Sequence, residues 1–466
     1  MKKKLVRVVV ICAFTFVWLG VSESQAQVVL LAKGTLTSSP VGSYADLSGL
    51  HNTLENGVAA NLLGGLGSAI TYASGNTFLA LPDRGPNAVS FNPLVDDTVT
   101  YIPRFHTISM NLEPNSGPGL PFILTPELRS TTLLHAFFPL VYGSGEGLNI
   151  GSGKPQQNGL FRYYFSGRSD NFDPNSNSGD PRDARLDSES IRLSNDGLSV
   201  FISDEYGPYV YQFSRFTGER IRSFQLPAQF YVTNLRPTGA AEIADNTSGR
   251  VANKGMEGLA ITPDGRTLVG IVQNALIQDA AEGGAAASLL RIVTIDIASG
   301  RTTHQYAYLL TAGSGVSEIT ALNQHEFLVD ERDGKGLGDG SKAKVKQIFK
   351  IDLAGAVDVS NMDGTEAAIH AVTKTLFLDI VQTLTANGIT ADQIPAKLEG
   401  ISFGPDVNYN GSKVHTFWVA NDNDFLQDLN GPNTNPNQFF VFGFTEKDLA
   451  GSKFVPQDFR RGCDRW

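Results

Sequence analysis

The sequence predicts an all-β protein of the β-propeller type, six-bladed with seven blades as the alternative. Three observations carry this expectation. One theme recurs along the chain: an apolar strand, a tight turn, a second apolar strand ending on an acidic or amide pair, then an alternating strand. Its turns contain Asp-Gly or Gly-Asn, residues that tolerate the positive φ required by two-residue hairpins. The copies follow at blade spacing, since Glu189, Glu257, Glu318 and Glu399, each opening a copy, lie 68, 61 and 81 residues apart, one blade plus variable loops.

Taken in order, Lys2, Lys3, Lys4 and Arg7 precede an apolar run and Ser24-Gln25-Ala26, which reads as a secretory signal over residues 1–26 with cleavage before Gln27. The run of about 14 apolar residues falls short of the roughly 20 that cross a bilayer, so no membrane span is expected after cleavage. Residues 27–466 then form one domain. A strand near residues 28–31 is expected to close the ring against residues 439–444. A degenerate first copy runs from Ser68 through Gly75-Asn76 to Asp83-Arg84. The clearest copy runs from Glu189 through Asn195-Asp196-Gly197 to Asp204-Glu205. The others end on Gln273-Asn274, Asp330-Glu331-Arg332 and Asn421-Asp422. Residues 139–187, rich in Gly, Asn, Ser, Pro and Asp, read as a long surface loop. Residues 100–187 and the regions near the termini have room for one or two irregular blades. Ala367, Ala368, Val372, Leu376, Ile380, Val381 and Leu384 recur at helical spacing and predict an inserted helix near 365–385.

Composition narrows the partners. A net charge of −10 over 466 residues disfavours nucleic acid, whose phosphates need clustered Lys and Arg. Cys12 leaves with the signal, and the remaining Cys463 cannot form an internal disulfide, so stability rests on the core with bound metal as a possible supplement. A Lys-rich signal on a nearly cysteine-free chain suits a bacterial periplasm or the cell exterior. The expected partner is a small molecule, and the expected state is a monomer.

The chemistry-bearing residues fall into two sets. Glu189, Glu257, Glu318 and Glu399 start the strands that line a propeller's axis. Converging carboxylates repel one another, so they need a cation, a proton or backbone N–H donors, and an all-oxygen set favours Ca²⁺. Bracing of neighbouring blades is the alternative role. The second set, Asp83-Arg84, Asp204-Glu205, Asp330-Glu331-Arg332 and Asn421-Asp422, lies where loops leave the sheet. Carboxylates beside Arg can hold a cation and an anion together, while ordinary strand-end turn chemistry is the competing explanation. No Gly-x-Ser-x-Gly, His-Glu-x-x-His, Cys-x-x-Cys or Walker loop occurs, and the seven histidines show no ligand spacing.

Several segments together resemble the phytase-like domain family, esterase-like activity of phytase. They are Leu81-Pro82-Asp83-Arg84-Gly85-Pro86-Asn87, Asp187-Ser188-Glu189-Ser190-Ile191, Ser203-Asp204-Glu205-Tyr206-Gly207, Met256-Glu257-Gly258-Leu259 and Lys397-Leu398-Glu399-Gly400-Ile401. The resemblance covers roughly residues 60–447. It implies an exported propeller-like hydrolase, with calcium-dependent cleavage of phosphoric esters such as phosphomonoesters. It implies calcium on Glu189, Glu257, Glu318, Glu399, Asp83, Asp330, Glu331 and Asp422. Arg84 and Arg332 would grip phosphate oxygens, with Asp204 and Glu205 as further catalytic candidates. Ser68 and Gln273-Asn274 depart from the acidic pattern. A non-catalytic ligand-binding or scaffold propeller and a lactonase-like metal-dependent hydrolase are the alternatives.

Overall fold

Each copy of the theme folds into a four-stranded antiparallel sheet, and five such sheets close into a ring. The computed structural model describes residues 28–459 apart from 40–41, 90–91, 93–94, 96–97 and 144–146. The expected signal at 1–26 and Cys463 lie outside the described residues. Blade I contains Ala69–Ser74, Thr77–Leu81, Arg104–Pro114 and Phe122–Leu133. Blade II contains Ser188–Leu193, Ser199–Asp204, Tyr209–Ser214 and Arg220–Gln225. Blade III contains Met256–Ile261, Thr267–Val272, Leu289–Asp296 and Arg301–Leu309. Blade IV contains Gly315–Ala321, Glu326–Arg332, Lys346–Asp352 and Lys374–Asp379.

Blade V joins the two ends of the chain. Its strands Lys397–Tyr409, Ser412–Asp422 and Asn437–Phe444 are completed by Val29–Leu36, which pairs antiparallel with the last of them from Val29↔Gly443 to Leu36↔Asn437. The expected closure is therefore present. Apolar side chains fill the spaces between blades: Leu79, Phe105, Ile191 and Tyr211 between I and II, and Leu328, Ile348, Ile401 and Phe417 between IV and V. Burial between facing sheets is the main stabilising term of such a ring.

The ring has five blades, not six or seven. Residues 100–187 form no blade of their own, because Arg104–Pro114 and Phe122–Leu133 complete blade I; His135–Ala136 and Tyr163–Tyr164 make only a short pair. Nor is 139–187 simply a surface loop. Phe165, Phe172, Ala184 and Leu186 are buried, along with Arg168 and Asp170, which pair at 2.5 Å. Polar groups buried inside a packed loop leave the same compositional trace as exposed ones. The helix expected near 365–385 is two short helices, Gly364–Ile369 and Ile380–Ala386, separated by the outer strand of blade IV. Pairing of Thr375, Leu376 and Leu378 with Lys350, Phe349 and Ile348 overrides the helical spacing. Asp379 then caps the second helix, accepting from Gln382 N at 2.8 Å.

The axis is packed rather than open. Alternating side chains along the five innermost strands form two layers, Ala69, Ser190, Gly258, Glu318 and Gly400, then Thr71, Arg192, Ala260, Thr320 and Ser402. Each layer combines small residues with one long charged residue. Glu318 accepts from Ser190 Oγ at 2.7 Å, Leu259 N at 2.9 Å and Ile319 N at 2.9 Å, and pairs with Arg192 at 3.0 Å. Arg192 donates in turn to Ile70 O at 3.1 Å and Ile319 O at 2.8 Å. This pair ties blades I to IV together. Gly258 has no room for a side chain there: a Cβ would lie 2.8 Å from Ile319 N.

Candidate functional site

One mouth of the ring gathers the starts of the innermost strands and the ends of their hairpin partners. Pairing is interrupted around Glu189, between Met256 and Gly258, and between Leu398 and Gly400. These bulges leave Glu189, Glu257 and Glu399 out of the ladder; bulges commonly re-aim side chains beside functional sites. In blade IV the interruption falls between Val316 and Glu318, so Ser317 occupies the equivalent position. Glu318 is thereby one residue out of phase and points into the axis. Its carboxylate braces blades and does not join the mouth.

Asp187, Glu189 and Glu205 each present one carboxylate oxygen, and these oxygens lie within 4.8 Å of one another. Asp187 and Glu205 are buried, Glu189 only partly. Glu205 Oε1 and Glu257 Oε2 are buried without a hydrogen-bond partner. Glu257 touches both the Gln273 amide and the Glu205 carboxyl. Burial, then the neighbouring carboxylates, push the pKa values of Glu189 and Glu205 well above the usual range. Burial raises Glu257 to about 7 and Asp83 to about 6. Uncompensated carboxylates at this spacing are a candidate cation site.

The cations of the mouth are distributed around it. Arg84 donates to Asp187 through Nη1 at 2.8 Å and through its backbone N at 3.2 Å, and also meets Asn253. Arg332 pairs with Glu399. Lys397 pairs with Asp422, with Asp424 at 2.9 Å and with Glu399 at 3.6 Å. Burial works against the charge of Lys397, but Asp422, Asp424 and Glu399 override it and raise its pKa well above the ordinary value. Lys254 donates to the neutral Gln273 side chain at 3.0 Å and acts favourably on the Glu205 carboxylate.

Other sequence candidates separate from this group. Glu331 turns to the outer side, accepting from Ser314 Oγ at 2.9 Å and Thr311 N at 3.2 Å while pairing with Lys374. Asp204 accepts from Asp187 N and Tyr206 N, both at 3.0 Å, and so positions its neighbours. Asp330 is fully buried with both carboxylate oxygens unpartnered, close enough to Arg332, Lys346 and Glu399 to feel their charges. Asp83, Glu189, Glu205, Glu257, Glu399, Asp422, Arg84 and Arg332 do converge. The sequence reading missed Asp187, Lys254, Lys397 and Asp424. Asp187 and Lys397 occupy the same place in their repeats, two residues before the glutamate, and that spacing was the available signal.

Comparison with known proteins adds a family and little else. The family described as phytase-like, esterase-like activity of phytase, matches residues 61–425. An uncharacterized secreted protein of Arthroderma benhamiae is 34% identical over 178 residues, 32% of this chain and 34% of that one. The match thus spans about a third of that relative's length. That relative is fungal, so it lends nothing to the expectation of a bacterial periplasm, whereas a secreted protein agrees with export. No helix of the described residues is long and apolar enough to cross a membrane. Among solved structures, a luciferin-regenerating enzyme covers 85% of this chain and 97% of its own at 10% identity and a TM-score of 0.34. A putative 6-phosphogluconolactonase from Bacteroides uniformis covers 76% and 80%, at 12% identity and a TM-score of 0.29. Scores this low carry no argument about function.

Proposed function

We propose, from the premise that this chain belongs to the phytase-like family over residues 61–425, that it is an exported hydrolase using the carboxylate-lined mouth with a divalent cation. The finer reading is calcium-dependent hydrolysis of phosphoric esters, phosphomonoesters included. The observation that carries it is the convergence of Asp187, Glu189 and Glu205 within 4.8 Å, with Glu205 Oε1 buried and unpartnered. An oxygen-only donor set suits Ca²⁺ and is a poor match for softer metals.

These three residues would hold the ion, which when bound supplies charge that stabilises an ester's developing negative oxygen and makes water more acidic. The chain's own groups supply the rest. Arg84 fixes Asp187 through two contacts, and Asp204 holds the backbone on either side of the trio. Glu257, with its pKa near 7 through burial, can keep a proton beside Glu205 and deliver it to a leaving group. Arg332 and Lys397, paired with Glu399 and Asp422 and partly open to solvent, would meet the anionic part of a bound ester.

The test is hydrolysis of para-nitrophenyl phosphate by the chain from Gln27, with calcium and with a chelator. Release only with calcium, lost in Glu205→Gln, supports the proposal. A folded protein that releases nothing in either condition favours the ligand-binding propeller, and turnover confined to a lactone would favour the lactonase-like reading.

A further inference from the structure

We infer that the end of the axis opposite the carboxylate mouth is a second binding site, built for a small uncharged molecule that combines one aromatic ring with a carbonyl oxygen. This does not rest on the hydrolytic reading of the mouth, from which the filled axis separates it. The innermost strands run from the mouth to this end, where Thr71, Arg192 and Thr320 line a partly open cavity of about 110 Å³, room for one substituted ring. Tyr72 and Phe403 line it from blades I and V. The chain's own C-terminal segment supplies the remaining wall. The Phe454 ring lies 4.3 Å from that of Phe403, and the Phe459 ring 6.2 Å from that of Tyr72. Between them Val455 N donates to Leu322 O at 2.9 Å, Gln457 Nε2 to Leu193 O at 2.7 Å and Asp458 N to Pro263 O at 2.8 Å. Residues 454–459 thus touch all five blades and strap the cavity in place.

Arg192 gives the cavity its polar side and is itself only 3% exposed. Its terminal nitrogens are taken up by Glu318 and by the carbonyls of Ile70, Ile191 and Ile319. Its Nε is buried without a partner among the described residues, and a buried donor left unpaired is costly. Glu318 already meets the charge of the guanidinium, so the remaining N–H calls for a neutral oxygen. An anion placed there would add a second negative charge beside Glu318, and like charges at close range are strongly disfavoured. Aromatic walls with one aimed donor are the usual composition of a small-molecule site; the rings receive the ring of the ligand, and Arg192 fixes which end enters.

The test titrates the chain from Gln27 with acetophenone, benzoate and toluene, read by calorimetry and by saturation-transfer NMR. Acetophenone should bind at least about tenfold more tightly than either of the others, the usual scale of one hydrogen bond to a charged group. Benzoate keeps the ring but carries an anion, and toluene keeps the ring without an acceptor. Thr320→Phe, which puts a ring into the cavity, should abolish saturation transfer to acetophenone. Phe459→Ala, which removes one wall from a partly exposed segment, should weaken its binding at least about threefold, the scale of one aromatic contact. Urea unfolding shows whether each variant is folded, and Phe459→Ala decides alone if Thr320→Phe is not. Equal binding of toluene, tighter binding of benzoate, or acetophenone binding unchanged in Phe459→Ala overturns the inference. Binding of none of the three at millimolar concentration also overturns it and leaves a cavity that holds water only.

Discussion

Asp204 and Glu205 are adjacent in sequence and opposite in role. At the end of a strand, consecutive side chains point to opposite sides, so Asp204 turns back to accept two backbone N–H groups while Glu205 enters the carboxylate trio. An Asn at 204 keeps an oxygen acceptor for the same donors, whereas Gln at 205 removes charge from the candidate ion site. Glu205→Gln should therefore weaken calcium binding, read by calorimetry or by sensitised terbium emission, at least about tenfold, the scale expected for loss of one charged contact. Asp204→Asn should keep binding within about threefold by the same reasoning. Equal losses in the two variants would mean that Glu205 only supports the fold.

At the scale of the strand, the bulge in each innermost strand sends glutamates 189, 257 and 399 to the mouth, while Glu318, outside its bulge, goes to the axis. There it is the only carboxylate facing Arg192 at ion-pair distance among the described residues. Removing one partner of a buried pair leaves a charge without compensation, so Glu318→Gln should cost about 3 kcal/mol in urea unfolding. Replacing both Glu318 and Arg192 by Leu should cost less than that single change. A single variant as stable as the wild type would show that the pair does not hold the ring. This is also where legibility in the sequence stops. Hairpins were readable because Asn195-Asp196-Gly197 and Pro263-Asp264-Gly265 announce them, and the closing strand was readable from its apolar run. A one-residue offset between Ser317 and Glu318 was not, because pattern matching aligns like residues and a bulge moves the register beneath them. The number of blades was misjudged because residues 100–187 read as room for a further blade, whereas Arg104–Pro114 and Phe122–Leu133, set apart from Leu81 by a long connection, are the outer strands of blade I. The outer strand of blade IV was hidden by helical spacing that sheet pairing overrides.

Closing the ring with only five blades brings all innermost strands onto a filled axis and concentrates acidic side chains at one end, so the stability of the whole molecule should depend on how those acids are neutralised. Burial raises Glu257 from an ordinary 4.5 to about 7 and Asp83 from 3.8 to about 6. A raised acid binds its proton more tightly in the folded chain than in the unfolded one. Its contribution to stability therefore falls as pH rises from its unfolded to its folded pKa, and above the folded value the full deficit persists. For Glu257 alone the deficit is about 3 kcal/mol. Groups of opposite sign exist. His106, pushed to about 4 by burial, favours folding increasingly as pH rises from 4 to 6.5. Asp46 is lowered because Arg104 overcomes the cost of its burial, so it loses its contribution only in acid, below the ordinary carboxylate range. The mouth is isolated by a difference measurement: urea midpoints at pH 5, 6 and 7, with calcium or with a chelator, for the wild type and Glu257→Gln. In chelator, the variant should gain stability relative to the wild type as pH rises, because it carries no charge to bury. A cation bound at Asp187, Glu189 and Glu205 competes with protons for the same field, so calcium should stabilise the wild type more at pH 7 than at pH 5. A calcium effect independent of pH, or parallel pH curves for the two proteins, would place the ion elsewhere and leave these carboxylates to be neutralised by protons alone.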